Sequence, residues 1–206
     1  MKLKSRLLLP MVAMVLLGCR KDKPEPPIDA PITMGDGGVY IINEGNFGWG
    51  NAGVSYFDSE TDAVVDDLFQ PANGEGLGDV CQSMRLFNGR AYVVVNNSNK
   101  VEVVEPNTFG RIATIPGFTS PRYFLPVSNG KAYVTDLYAN SISVVDLGSN
   151  TIVGGIACSG WTEELVLAYG KAFVTNKTRN YVYVIDTATD HVVDSRIFRE
   201  ARLSDH

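Results

Sequence analysis

The chain has 206 residues, 45% of them hydrophobic and 10% aromatic, so it can build a core and does not have the composition of a disordered segment. A formal net charge of −5 argues against nucleic acid or anionic lipid headgroups as partners, because both reward clustered positive charge. With His191 and His206 as the only two histidines, there is little material for metal ligation or general acid–base work.

The N-terminus, MKLKSRLLLPMVAMVLLGC, combines a basic start (Lys2, Lys4, Arg6) with an apolar stretch from Leu7 to Leu17. This reads as a secretory signal over residues 1–18, and the stretch is too short for a spanning helix. Leu16-Leu17-Gly18-Cys19 resembles the bacterial lipobox, which implies that Cys19 is acylated as the first mature residue and anchors the protein to a membrane. Several acyl chains, at about 0.8 kcal/mol per buried methylene, hold a protein where one would not. Residues 19–37 are charged and then proline-rich, the composition of an extended tether. Without residues 1–18 the balance is 15 Lys+Arg against 23 Asp+Glu, or −8.

From Gly38 onward the sequence repeats. GGVYIINEG, NGRAYVVVNN, NGKAYVTDLY and YGKAFVTNKT place an aromatic at Tyr40, Tyr92, Tyr133 and Phe173, spaced 52, 41 and 40 residues apart. A second series places an acid at Asp58, Glu105, Asp146 and Asp186, spaced 47, 41 and 40 apart in the same phase. Within each unit, alternating β-branched runs of five to seven residues are separated by Asn-Gly or Asp/Asn/Ser/Thr turns, and no segment shows helical periodicity of useful length. The third unit shows four strands: RYFLPVS, KAYVTDL, SISVVDL and TIVGGIA. Four short antiparallel strands per forty-odd residues predict an all-β fold, a β-propeller of four-stranded blades; a β-sandwich does not explain the period.

The first unit begins at its second strand and the last ends after HVVDSRIF, giving fifteen strands, or about four blades over residues 38–198, followed by an irregular tail at 199–206. Because a closed propeller has four to eight complete blades, the expectation is a truncated form of a longer parent. Cys81 and Cys158 have no histidine neighbour and read as buried free thiols rather than a disulfide.

Tyr133-Val134-Thr135-Asp136 and Phe173-Val174-Thr175-Asn176, each followed by VVD or VID, resemble the YVTN-type propeller repeat of exported bacterial proteins. A narrower likeness rests on IINEGNFGWGNAGVSYFD, GLGDVCQSM, TSPRY, TDLYANSISVVD and GWTEELVL in this order. Together they resemble the BtuG-like surface lipoproteins of Bacteroidota, which capture cobalamin on a seven-bladed propeller and pass it to a TonB-dependent outer-membrane transporter. The resemblance implies a lipid anchor at the outer membrane facing the cell surface, cobalamin or a related corrinoid as ligand rather than cofactor, and the transporter as partner. The RKD after Cys19 is a weak match to the acidic export signal of that group, and about half the blades are missing.

In a blade, the loop entering the first strand and the loop joining the second and third open on one face, and function is sought there. Aligning the entering loops on Gly89, Gly130 and Gly170 places Gln82, Tyr123 and Glu163 at one position, with Cys81, Arg122 and Thr162 one residue earlier and Trp161 nearby. The other loops supply Asn43, Asn46, Phe47 and Trp49, then Asn97, then Asp136 and Tyr138, then Asn176 and Arg179. Amides and aromatics suit a large, partly flat, amide-bearing ligand. Asn99, Asn140 and Asn180 share a register that suits left-handed turns instead. Trp49 and Tyr138 are equally compatible with binding and with packing between blades.

Gly74-Glu75-Gly76-Leu77-Gly78 mimics part of a dinucleotide fingerprint without a βαβ unit and reads as a loop; the alternating acids at 58–62 fall where every unit turns, and no metal site is assigned. No Ser/His/Asp set, paired-carboxylate site or Cys/His spacing can be assembled, so no catalytic residue is assigned and no enzyme is expected. The expected function is capture of a ligand by a surface-anchored propeller; the alternative is a propeller for protein or glycan adhesion without transport.

Overall fold

The computed structural model describes residues 37–197; the signal, Cys19, the tether up to residue 36 and the tail from residue 198 lie outside the described residues. Four antiparallel meanders follow one another. The first comprises β1 (Gly38–Asn43), β2 (Gly53–Asp58) and β3 (Ala63–Val65), and a short helix, α1 (Phe69–Asn73), leads on from it. The second comprises β4 (Cys81–Phe87), β5 (Arg90–Val95), β6 (Lys100–Val104) and β7 (Arg111–Pro116). The third comprises β8 (Pro121–Ser128), β9 (Lys131–Asp136), β10 (Ser141–Asp146) and β11 (Thr151–Ala157). The fourth comprises β12 (Thr162–Ala168), β13 (Lys171–Asn176), β14 (Tyr181–Asp186) and β15 (His191–Ile197). These are the fifteen expected strands, arranged as blades of a partial β-propeller.

Burial follows from that arrangement. A sheet packed on both faces has no polar side, and β5 (RAYVVV) is buried at every position after Arg90. In β1, packed on one face only, burial alternates along GVYIIN. The core is divided accordingly into three apolar layers, one at each joint between successive blades. Cys81 lies in the first and Cys158 in the third, both as free thiols, and burial pushes each up to about 12.

The repeated acid builds the turn between the third and fourth strands. Asp58 Oδ1 accepts the amide of Glu60 at 2.8 Å, Glu105 Oε2 that of Thr108 at 2.7 Å, Asp146 Oδ1 that of Ser149 at 2.7 Å and Asp186 Oδ1 that of Ala188 at 3.0 Å. These N–H bonds hold Asp58, Asp146 and Asp186 below the usual carboxylate range; at Glu105 burial works upward, and bonds from Asn107 and Thr108 outweigh it. A carboxyl depressed in the folded state stabilises above its unfolded pKa, and that stabilisation is lost as pH falls through the folded value. Stability is therefore expected to be level near neutral pH and to fall below about pH 4, an onset that denaturant midpoints measured from pH 7 to pH 3 would check.

The repeated aromatic instead reaches the next blade. Tyr40 donates its hydroxyl to the Pro106 carbonyl at 2.9 Å, Tyr92 stacks on Phe124 at 4.3 Å, and Tyr133 donates to Asp190 Oδ1. Lys131 Nζ joins the last of these joints, 2.6 Å from Asp190 Oδ1 and 2.8 Å from the Thr187 carbonyl.

Two features differ from the sequence reading. A five-residue helix, α1, is present because β3 pairs only with Tyr56–Asp58; the amide of Leu68 caps the Val54 carbonyl beyond it at 2.8 Å, and buried Leu68, Phe69 and Leu77 fill the first joint. Five residues are fewer than two turns, too short for a periodic signal. Asn99 and Asn140 take left-handed conformations (φ 56° and 54°), whereas Asn180 does not. Tyr169 occupies the left-handed position that Asn88 holds in the second blade, at φ 51° and 100% exposed. Tyr169→Asn should stabilise the fold by about 0.5–1 kcal/mol, read as a rise in the denaturant midpoint.

Candidate functional site

The inner strands β4, β8 and β12 stand side by side, and one polar residue from each meets at the axis. Arg122 Nε donates to Glu163 Oε2 at 2.8 Å, and Arg122 Nη1 donates to Gln82 Oε1. Ser83 Oγ fixes the collar further by donating to the Arg122 carbonyl at 2.7 Å. The equivalent of Gln82 and Glu163 is therefore Arg122, which corrects the alignment that put Tyr123 there. β8 carries an irregularity between Pro126 and Ser128, so one extra residue shifts everything before it. Tyr123 instead lines a cleft of about 390 Å³ with Gln82, Met84, Arg85, Phe124 and Glu164.

The glycine-rich segment between β1 and β2 is an ordered loop latched to the second blade. Asp79 Oδ2 accepts the amide of Gly48 at 2.8 Å and Asn97 Nδ2 at 2.5 Å, while the Asp79 amide donates to Ser98 Oγ at 2.9 Å. The bond from Asn97 is the main reason that the Asp79 carboxyl lies below its ordinary range, with the amides of Gly48, Gly50 and Trp49 adding to it. Within the loop, the Asn46 amide donates to Asn51 Oδ1 at 2.8 Å and the Trp49 amide to the Asn46 carbonyl at 3.0 Å. Gly45 has φ 77°, and a Cβ there would meet the Ala52 amide nitrogen at 2.8 Å, so only glycine fits. The loop holds Phe47 and Trp49 outward, 75% and 77% exposed, and Trp49 has no ring partner among the described residues.

The remaining candidates divide into display and support. Tyr138 and Trp161 meet edge to face at 5.8 Å across the joint between the third and fourth blades, with Lys177 Nζ 5.9 Å from the indole centroid, and both rings keep solvent-exposed area. Asn43 donates Nδ2 to Ser55 Oγ at 2.7 Å and borders a second, polar cleft of about 480 Å³ with Gly50, Asn51, Asp66, Asp67 and Gln70. Asp136 and Asn176 are buried and fully engaged, which removes them from any open surface. Asn176 donates to the Ser159 carbonyl at 2.8 Å and accepts the Thr178 amide at 3.1 Å. Asp136 binds four amides with its two oxygens. Asn97 is exposed, with its side-chain amide engaged in the Asp79 latch.

Two supports were missed in the sequence. Asp79 directly follows the glycine run read as a loop, and its place just before an inner strand was the available signal. Asn96, next to the chosen Asn97, is buried and donates Nδ2 to Ser120 Oγ at 2.9 Å and to the Pro121 carbonyl at 2.8 Å, tying the second blade to the third.

Radially packed meanders, an axial collar and a rim of exposed rings define a β-propeller domain. Residues 37–200 match the family described as a domain of unknown function, DUF5074, and the chain belongs to that family. No curated protein matches it. Among solved structures, hydrazine synthase of Kuenenia stuttgartiensis is similar at TM-score 0.60 and 20% identity, over 71% of this chain and 43% of that one. The dihydro-heme d1 dehydrogenase NirN, in complex with DHE, is similar at TM-score 0.56 and 14% identity, over 72% and 33%. Apo AztD from Citrobacter koseri is similar at TM-score 0.52 and 15% identity, over 72% and 42%. At these identities the likeness is one of fold, and the chain spans less than half the length of each.

Proposed function

We propose that this chain is a binding propeller, lipid-anchored through Cys19 at the outer membrane, that captures a small-molecule ligand on its rim without transforming it. The observation that carries the reading is the latched loop: two large rings held three-quarters exposed on a loop fixed by Asp79 present apolar area without the cost of ordering it on binding. The exposed Tyr138–Trp161 pair lies on the same face, with the Gln82–Arg122–Glu163 collar at the axis. Apolar rings set among amides favour a broad, flat ligand with a hydrogen-bonding periphery. Cobalamin or a related corrinoid fits that description, and the resemblance to BtuG-like lipoproteins adds delivery to a TonB-dependent transporter. NirN, which shares the fold, is itself seen with DHE bound.

The reading is tested by titrating the purified chain with cyanocobalamin while following heat and the visible bands. Saturable heat with a band shift is expected. A flat titration, with retention of the protein on immobilised glycans, would replace capture with adhesion.

A further inference from the structure

In the joint between the third and fourth blades, a cation and a phenol of one blade share a carboxylate of the next. Lys131 Nζ lies 2.6 Å from Asp190 Oδ1 and donates to the Thr187 carbonyl at 2.8 Å, and the Tyr133 hydroxyl donates to the same Asp190 oxygen. All of these groups come from two positions on β9 and from the turn between β14 and β15.

The joint between the second and third blades has the same donors without that acceptor. Arg90 begins β5 as Lys131 begins β9, and Tyr92 stands at the position of Tyr133. The facing turns have equal length, Asp146 to Thr151 and Asp186 to His191, so Asn150 at φ 53° stands where Asp190 has φ 57°. A neutral amide has replaced the carboxylate. Arg90 is half-buried and makes no hydrogen bond or ion pair among the described residues; the Tyr92 hydroxyl makes no hydrogen bond among them either. Glu105, the acid of the same blade, is committed to its own turn through Asn107 Nδ2 at 3.0 Å and the Thr108 amide at 2.7 Å. Asn150 Oδ1 is buried and also lacks a partner. Arg90 and Tyr92 instead line a cleft of about 270 Å³ between the two blades, with Asn88, Asn129 and Leu147 among its other walls.

We propose that this cleft binds a small organic acid, whose carboxylate takes the place that Asp190 fills in the next joint. The guanidinium of Arg90 presents a planar fork of N–H donors that matches a carboxylate, and Tyr92 supplies an O–H as Tyr133 does. The carboxamides of Asn88 and Asn129, both exposed, hydrogen-bond the remaining polar groups of the acid. The volume lies below that of pockets for drug-sized ligands and limits the occupant to a small molecule. Both blades that form the cleft have a neighbouring blade on each side, so its walls are those of an internal joint. The turns around it lie at the opposite end of the strands from the loop that carries Phe47 and Trp49, which makes it a site separate from the rim.

The test uses sodium acetate as probe and amide chemical shifts of the full chain as readout, with sodium chloride at equal ionic strength as reference. Acetate is expected to produce saturable shifts around Arg90, Gly130 and Gly148, with a dissociation constant on the order of millimolar, and chloride none. Arg90→Gln should weaken acetate binding about tenfold or more, and Tyr92→Phe, which keeps the stack on Phe124, by about threefold. Asn150→Asp restores the acid of the next joint within the chain, so it should abolish the acetate response and raise the urea midpoint. Adding Arg90→Gln to Asn150→Asp should remove that rise. Equal shifts in acetate and chloride would overturn the proposal and leave Arg90 as a solvated cation. Acetate binding that persists unchanged in Arg90→Gln or in Asn150→Asp would overturn it as well. So would binding of acetyl-glycylglycine without binding of acetate, which would assign the cleft to a chain terminus.

Discussion

Replacing Asp136 with alanine is expected to lower stability by about 3–5 kcal/mol, a large share of the 5–15 kcal/mol that holds a typical domain. Its carboxylate is 1% exposed and accepts amides from Thr119 and Ser120 at 2.9 and 2.8 Å on one oxygen, and from Tyr138 and Ala139 at 2.9 and 3.0 Å on the other. Four donors in the buried joint would lose their acceptor together. The Asp136 backbone also exchanges bonds with Thr162 Oγ1 of the fourth blade, at 3.1 and 2.9 Å, so the loss extends to the next joint. Asp136→Asn should recover less than half of the deficit, because its amide nitrogen faces two N–H groups instead of accepting them. Urea denaturation of the three proteins checks this; a shift below 1 kcal/mol for the alanine variant would mean that water replaces the carboxylate.

Trp49→Ala is expected to have the opposite signature, a loss of about 1–3 kcal/mol in ligand affinity with stability changed by less than about 0.5 kcal/mol. The indole is displayed and contributes nothing to the core. Asp79→Ala should produce a similar loss by another route. It removes the acceptor that ties the Gly48 amide to the second blade, so that binding must order Phe47 and Trp49 first. Titration calorimetry combined with melting curves separates the two cases: the Asp79 variant should show a more unfavourable binding entropy, whereas the Trp49 variant should show less negative heat-capacity change.

The architecture was legible because the repeated residues do repeated work. An acid recurs at Asp58, Glu105, Asp146 and Asp186 since each turn needs an acceptor for its amides, and an aromatic recurs because each joint needs a wide side chain to reach the next blade. What was not legible lay in local departures from the repeat. The irregularity at Pro126–Ser128 adds a residue inside an apolar strand without changing its composition, so Tyr123 was chosen where Arg122 belongs. Asn43, Asp136 and Asn176 sit at one register position, yet Asn43 borders an open cleft while the other two are enclosed. That difference is set by how closely the entering loop packs over each, a contact between segments that spacing alone does not encode. The length of the glycine-rich loop shows in the 18 residues from Tyr40 to Asp58, against 13 in each later unit, but its latch on Asp79 depends on a residue 31 positions from Gly48.

The central claim is that the exposed rings of this loop form the ligand contact, and calorimetric titration of cyanocobalamin into wild-type and Trp49→Ala protein tests it most directly. Saturable binding by the wild type, weakened about tenfold or more in a variant with the same melting midpoint, is the predicted result. Equal affinities, or no heat with either protein, would contradict it.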